Sequence, residues 1–182
     1  MFSGLRTTIE SERLTLKVLE AENVTPAYVK WLNKTEVNQF LESRFIVQSE
    51  ESVMLFVDEI FQSPDTLLFG IFVGPEQLRI GNIKLGPVNT NHSSSEIGFI
   101  VGDSSFWGFG YASEAILALS SWAFSSLNIF KLTAGCCSEN IGSKKALLKA
   151  GYIKEARLEN QILANSGQRQ DLFRFCKFAA GH

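Results

Sequence analysis

The stretch from Phe106 to Ala115 reads Phe-Trp-Gly-Phe-Gly-Tyr-Ala-Ser-Glu-Ala, with a strand-like run before it and a helical pattern directly after. Glycines in such a turn permit φ > 0 and leave nearby amide N–H groups unshielded. A helix that starts there adds unpartnered N–H donors and the positive end of its dipole. The chemistry this suits is the cradling of a pyrophosphate. Two better-known phosphate motifs do not fit. A dinucleotide fingerprint would place a third glycine where Ser113 stands, and an acidic residue roughly 20 positions on, where Asn128 to Ala134 offers none. A Walker loop would need Gly-Lys-Ser/Thr, which is absent. The plain alternative is that Gly108 and Gly110 only shape a tight strand-to-helix turn, since a lone Gly-x-Gly is weak evidence.

The elements that must position this turn are legible around it. Leu67 to Val73 (LLFGIFV) is a short run rich in β-formers, closed by Gly74-Pro75, and reads as a buried strand. Arg79 to Leu85 alternates, ends at Gly86-Pro87 and reads as its antiparallel partner. A polar loop, Asn89 to Ser95, leads into a third strand over Glu96 to Val101. Ala112, Ala115, Ile116, Leu119, Trp122 and Ala123 then recur at helical spacing and predict a helix over Tyr111 to Ser126. Lys131 to Cys137 is a strand, and Asn140 to Ala150 a helix stopped at Gly151. Ile153 to Ile162 and Gln168 to Phe178 flank Ala164-Asn165-Ser166-Gly167 as a hairpin. At the front, Arg13 to Leu19 reads as a strand, and Ala27 to Leu32 and Ser52 to Phe61 as helices. This order predicts an α+β domain with a parallel element around the middle helix.

Composition narrows the partners. The 182 residues carry 17 basic and 19 acidic side chains, a net charge of −2, and predict a single domain over 1–182. With so little excess charge, a basic face for general nucleic-acid binding is not expected. No apolar run approaches the ~20 residues that cross a bilayer. The opening residues lack the apolar core of a signal peptide. Three cysteines, two of them adjacent, make neither a disulfide framework nor a zinc spacing and suit a reducing cytoplasm. The expectation is a cytoplasmic protein with no metal, no membrane and no nucleic-acid partner.

Trp107-Gly108-Phe109-Gly110-Tyr111-Ala112 resembles motif A of the GNAT superfamily of acyl-coenzyme A-dependent N-acetyltransferases, Gln/Arg-x-x-Gly-x-Gly/Ala, with Trp107 in place of the first Gln or Arg. The wider form WGxGYAxEA is similar to the ribosomal-protein N-terminal-amine acetyltransferase branch. Further matches are Ser11-Glu12-Arg13-Leu14-Thr15-Leu16, Ile80-Gly81-Asn82-Ile83, Asn140-Ile141-Gly142-Ser143, Lys149-Ala150-Gly151-Tyr152 and Asp171-Leu172-Phe173-Arg174-Phe175. The resemblance implies a twisted, mixed and mostly antiparallel sheet with helices on both faces. It implies acetyl-coenzyme A as co-substrate, its pyrophosphate on the amides of Trp107 to Ser113 (Trp107, Gly108, Phe109, Gly110, Tyr111, Ala112, Ser113). Its pantetheine arm would pair with the backbone of Phe99, Ile100, Val101 and Gly102, helped by Asn140 and Ser143. Lys144 and Lys145 could meet a phosphate or simply form a solvated face.

Acetyl transfer to an amine needs a base. Glu96 is the first candidate, because carboxylates at this strand position play that role in part of the branch and period 2 sets it on the face of Gly98 and Ile100. The alternative is a carboxylate that fixes a strand end. His92 is the second candidate, with an ordinary pKa of ~6.5, although loop histidines are mostly solvated. Many members carry a tyrosine seven residues after the signature Asn as acid on the leaving thiolate, and here that position is Leu147. Cys136 and Cys137 raise a covalent route, but strand neighbours alternate faces and no histidine adjoins them, so the core reading is favoured. The implied reaction is direct attack in a ternary complex by a monomer or homodimer. The acceptor is a protein N-terminus or the amino group of a nucleotide-linked sugar. A non-catalytic coenzyme-binding module is the alternative class.

Overall fold

The computed structural model of the protein describes residues 2–180. Its strands are β1 (Thr8–Glu10), β2 (Leu14–Val18), β3 (Leu67–Val73), β4 (Leu78–Leu85), β5 (Ser94–Val101), β6 (Lys131–Cys137), β7 (Ile153–Leu163) and β8 (Arg169–Phe178). The helices are α1 (Pro26–Asn33), α2 (Thr35–Asn38), α3 (Glu50–Phe61), α4 (Tyr111–Leu127) and α5 (Ile141–Lys149). The strands form one sheet in the order β1-β2-β3-β4-β5-β6-β8-β7. Neighbours are antiparallel except β5 and β6, which run parallel around α4 as the sequence predicts. Every element read from the sequence forms. β1 and α2 are additions too short to show a period, and β5 starts at Ser94 rather than Glu96.

Each face of the sheet carries its own core, which explains why β3 is apolar without alternation. Phe69 and Ile71 pack with Ala115, Ile116, Leu119 and Leu147 under α4 and α5. Leu68 packs on the opposite face with Tyr28, Trp31, Val53 and Val57 from α1 and α3. Helix starts are encoded locally. Thr25 caps α1 ahead of Pro26, and Ser49 closes a reciprocal box with Ser52 at the start of α3. The buried hydroxyls of Ser120 and Tyr152 satisfy each other at 2.9 Å beneath α4.

Where β5 ends, Gly102 lies face to face with the indole of Trp31. A Cβ on Gly102 would stand 2.2 Å from Trp31 Cδ2. Gly102→Ala is therefore expected to lower stability by ~1–3 kcal/mol through overpacking. An unchanged urea midpoint would show that the indole yields without cost.

Candidate active site

β5 and β6 stay together only briefly. Their parallel pairing joins Ser94, Ser95 and Glu96 to Lys131, Leu132 and Thr133, while β5 continues to Val101 and β6 to Cys137. Past Glu96 the strands part, and one edge of β5 is left open. The alternation of backbone groups identifies which residues face that edge. Gly102 N–H donates to Ile80 O, and Glu96 O accepts from Gly86 N–H, both at 2.9 Å, so these residues turn their polar groups toward β4. Phe99 and Val101 accordingly turn theirs to the opening. Val101 O is already taken by the indole Nε1–H of Trp107, at 2.7 Å. The residue that departs from the motif pattern thus ties the glycine turn to the end of the strand.

The turn itself needs glycine for its backbone. Gly108 and Gly110 both have φ of +84°, whereas a Cβ on Gly108 would meet nothing within 4 Å. Gly110 precedes α4, and its carbonyl receives the N–H of Glu114 at 3.1 Å. The N–H groups of Tyr111, Ala112 and Ser113 therefore remain at the helix start for a ligand.

A clamp from the front of the chain holds this turn. The Glu114 carboxylate accepts from Arg13 Nε (2.7 Å), from the Arg13 backbone N–H (2.7 Å) and from the Ser11 hydroxyl (2.8 Å). Arg13 Nη1 also donates to Phe109 O at 3.1 Å, and its guanidinium stacks 4.6 Å above the Tyr111 ring. Burial pushes the Glu114 carboxyl up, but the hydrogen bonds from Arg13 and Ser11 outweigh it and hold the group below its ordinary value.

The turn, the open edge and α5 enclose a cleft of ≈ 610 Å³. Phe99, Ile100 and Val101 line it from β5, with Trp107, Gly108, Gly110, Tyr111, Ala112 and Ser113 from the turn. Asn140 and Ser143 line it from α5, where Asn140 Oδ1 accepts the Ser143 N–H at 3.0 Å and so caps the helix. Val37, Phe40 and Leu41 roof it. Gly102 and Phe109 stand apart: the former is covered by Trp31, and the latter contributes its carbonyl to Arg13. Lys145 and Lys149, one helical turn apart, both face the cleft, while Lys144 does not line it. Lys149 Nζ lies 3.4 Å from where a Cβ on Gly110 would be. The sequence reading did not single out Lys149 beside the cleft, although its i, i+4 spacing from Lys145 sets the two on one helix face.

At the vertex of the parting strands, Arg174 of β8 grips Glu96 with Nη1–Oε1 at 3.0 Å and Nη2–Oε2 at 3.3 Å. The same Nη2 donates to Thr133 Oγ1 at 3.3 Å. His92 lies elsewhere, exposed in the turn before β5, with its backbone N–H on Asn89 Oδ1.

A family model described as the acetyltransferase (GNAT) domain matches residues 13–153. The chain belongs to the GNAT acetyltransferase family. An uncharacterized N-acetyltransferase of Bacillus licheniformis, p20, is 27% identical over 176 residues, 92% of this chain and 94% of its own length. Two solved structures share the fold. RimL, a ribosomal L7/L12 α-N-protein acetyltransferase in complex with coenzyme A, has a TM-score of 0.84 at 19% identity over 97% of this chain and all of that one. The spermidine N-acetyltransferase of Vibrio cholerae, in complex with coenzyme A and spermine, has a TM-score of 0.82 at 20% identity over 93% and 98%.

Within this GNAT fold several alternatives lose ground. Leu147 is fully buried in the core, so the helix presents no acid there. Tyr152 is also buried, and desolvation pushes its phenol far up. Burial, then the neighbouring Cys137, push the Cys136 thiol up to about 11, which leaves almost no thiolate near neutrality.

Two outcomes test this GNAT site. Gly110→Val should fold yet lose coenzyme A affinity in calorimetry, because a β-branched residue resists φ of +84°. Glu114→Gln should be less stable than wild type near neutral pH. A carboxylate with a lowered pKa stabilises above its unfolded value of ~4.3 and loses that contribution as pH falls through its folded value. The stability gap should therefore close in acid, and a gap constant down to pH ~2 would contradict the clamp.

Proposed function

We propose that this GNAT protein transfers acetyl from acetyl-coenzyme A to a primary amine, with a protein N-terminal amine as acceptor. The observation that carries the reading is a single cleft holding both the helix-start N–H groups of Tyr111 to Ser113 and the open backbone edge of Phe99 and Val101. The donor set fits the coenzyme: N–H groups and two lysines for phosphates, and strand-edge groups for an amide-bearing arm. When bound, the coenzyme supplies an acetyl group activated as a thioester. The likeness to the RimL fold and to the WGxGYAxEA branch supports the N-terminal acceptor. A polycationic acceptor has less support at the vertex, where Glu96 is already paired with a guanidinium.

In this reading Tyr111 to Ser113, Lys145 and Lys149 hold the phosphate end, and the Phe99 edge aligns the arm. The amine approaches on the face of the sheet that carries Glu96. Glu96 accepts the proton, directly or through one water, while Arg174 and Thr133 keep the carboxylate in one orientation. Binding both reactants in one cleft contributes proximity and orientation.

Glu96→Gln should lower the acetylation rate by ~10²–10⁴-fold, the usual range for a general base, without changing coenzyme A affinity. A panel of N-terminal peptides, amino sugars and polyamines, followed by thiol release, is the direct measurement. A less than roughly threefold loss for Glu96→Gln with a larger loss for His92→Ala would transfer the role to His92.

A further inference from the structure

Glycine weakens a strand interior, so each one there requires a reason. Gly70 and Gly81 have steric ones: a Cβ on Gly70 would stand 2.7 Å from Phe72 Cε2, and one on Gly81 would stand 2.1 Å from Ile100 O. Gly98 in β5 and Gly135 in β6 have none. Neither has a positive φ. A Cβ on Gly98 would meet nothing within 4 Å, and the nearest atoms to one on Gly135 would be Leu172 Cδ1 at 3.5 Å, Arg174 Nη1 at 3.6 Å and Leu172 Cδ2 at 3.9 Å, ordinary contacts. The registers of β4–β5 and β6–β8 run unbroken through them, which excludes a bulge. Both are exposed.

Their placement supplies the reason. Glu96 pairs with Thr133 at the vertex, so Gly98 and Gly135, each two residues on, lie on the Glu96 face on either side of the opening. Arg174, opposite Gly135 in β8, borders the same space. We infer that Gly98 and Gly135 set the width of the acceptor path, leaving room on both sides for a substituent on the carbon that bears the amine. The path then admits an amine on a branched carbon, such as the α-carbon of a peptide N-terminus, which a narrower path would exclude. This rests on the proposed reading that the arm lies along the Phe99 edge and the amine approaches on the Glu96 face.

The test uses Gly98→Ala and Gly135→Ala with two acceptor peptides that differ only in their first residue, glycine or alanine. Thermal melting should be retained, because both new methyl groups fit without a clash. Calorimetric affinity for coenzyme A should match wild type. The ratio of kcat/KM for the alanine peptide over the glycine peptide should fall by roughly 10–200-fold, the discrimination typical of one methylene in a confined site. An unchanged ratio in both variants overturns the inference. So does a wild-type protein that acetylates spermidine but neither peptide, or neither peptide at all. A wild-type protein that binds no coenzyme A instead overturns the reading beneath it, since that measurement involves no acceptor.

Discussion

The parting of β5 from β6 after Glu96 is the constraint on which the rest of the site depends. Parallel strands normally continue their ladder because unpaired backbone groups are costly away from water. Here Phe99 and Val101 are withheld from any strand neighbour, and the fold compensates at one of them by pairing Val101 O with Trp107 Nε1. The parting is held at its vertex by Glu96, Thr133 and Arg174, which join three strands through side chains. Continuous antiparallel pairing of β4 with β5 and of β6 with β8 gives each diverging strand a stable partner on its other edge.

Opening a cleft is of use only if the turn above it is rigid. Gly108 and Gly110 set its shape, but glycines also loosen a chain. The restraint comes from residues a hundred positions earlier: Ser11 and Arg13 occupy the Glu114 carboxylate, and Arg13 reaches on to Phe109 O and Tyr111. The stretch Ser11-Glu12-Arg13-Leu14 and the Glu114 of WGxGYAxEA are therefore one structural unit divided by sequence. Glu114 also sits in the first turn of α4, where a negative charge is favourable to the helix dipole. Its pairing with Arg13 leaves the dipole end directed at the cleft rather than neutralised by a free carboxylate.

Much of this was legible in the residue order, and what was not has identifiable physical causes. An apolar run gave β3, alternation gave β4 and helical spacing gave α4, because burial on one or two faces imposes a period, while the turn at Ala164 to Gly167 marked β7 and β8 as a hairpin. The three residues of β1 and the four of α2 are too short to carry one. The glycine turn, with its unpartnered helix-start N–H groups, was readable from local chemistry alone. Arg174 as the partner of Glu96 was not, since the two are 78 positions apart and only the β6–β8 register brings them together. The assignment of Phe99 to Gly102 as one pairing edge was half resolved: period 2 separates Phe99 and Val101 from Gly102, but which set faces outward depends on how β4 docks. Gly102 illustrates the limit, for its partner Trp31 comes from α1, across the second core.

Charge also gives the cleft a direction. At the α4 end, the helix-start N–H groups are joined by the ammonium groups of Lys145 and Lys149, while the lining as a whole also carries the carboxylates of Glu36 and Glu139. At the vertex, the Glu96 carboxylate and the Arg174 guanidinium cancel each other as a bidentate pair. A polyanionic head is therefore favoured at the α4 end over the vertex. The reverse orientation would set phosphates against a neutral pair and leave the helix start unsatisfied. The same asymmetry would point the neutral end of an arm toward Glu96, which Arg174 of β8 holds together with Thr133 of β6. In the proposed reading, the orientation of the coenzyme and the alignment of Glu96 as proton acceptor would thus follow from one gradient.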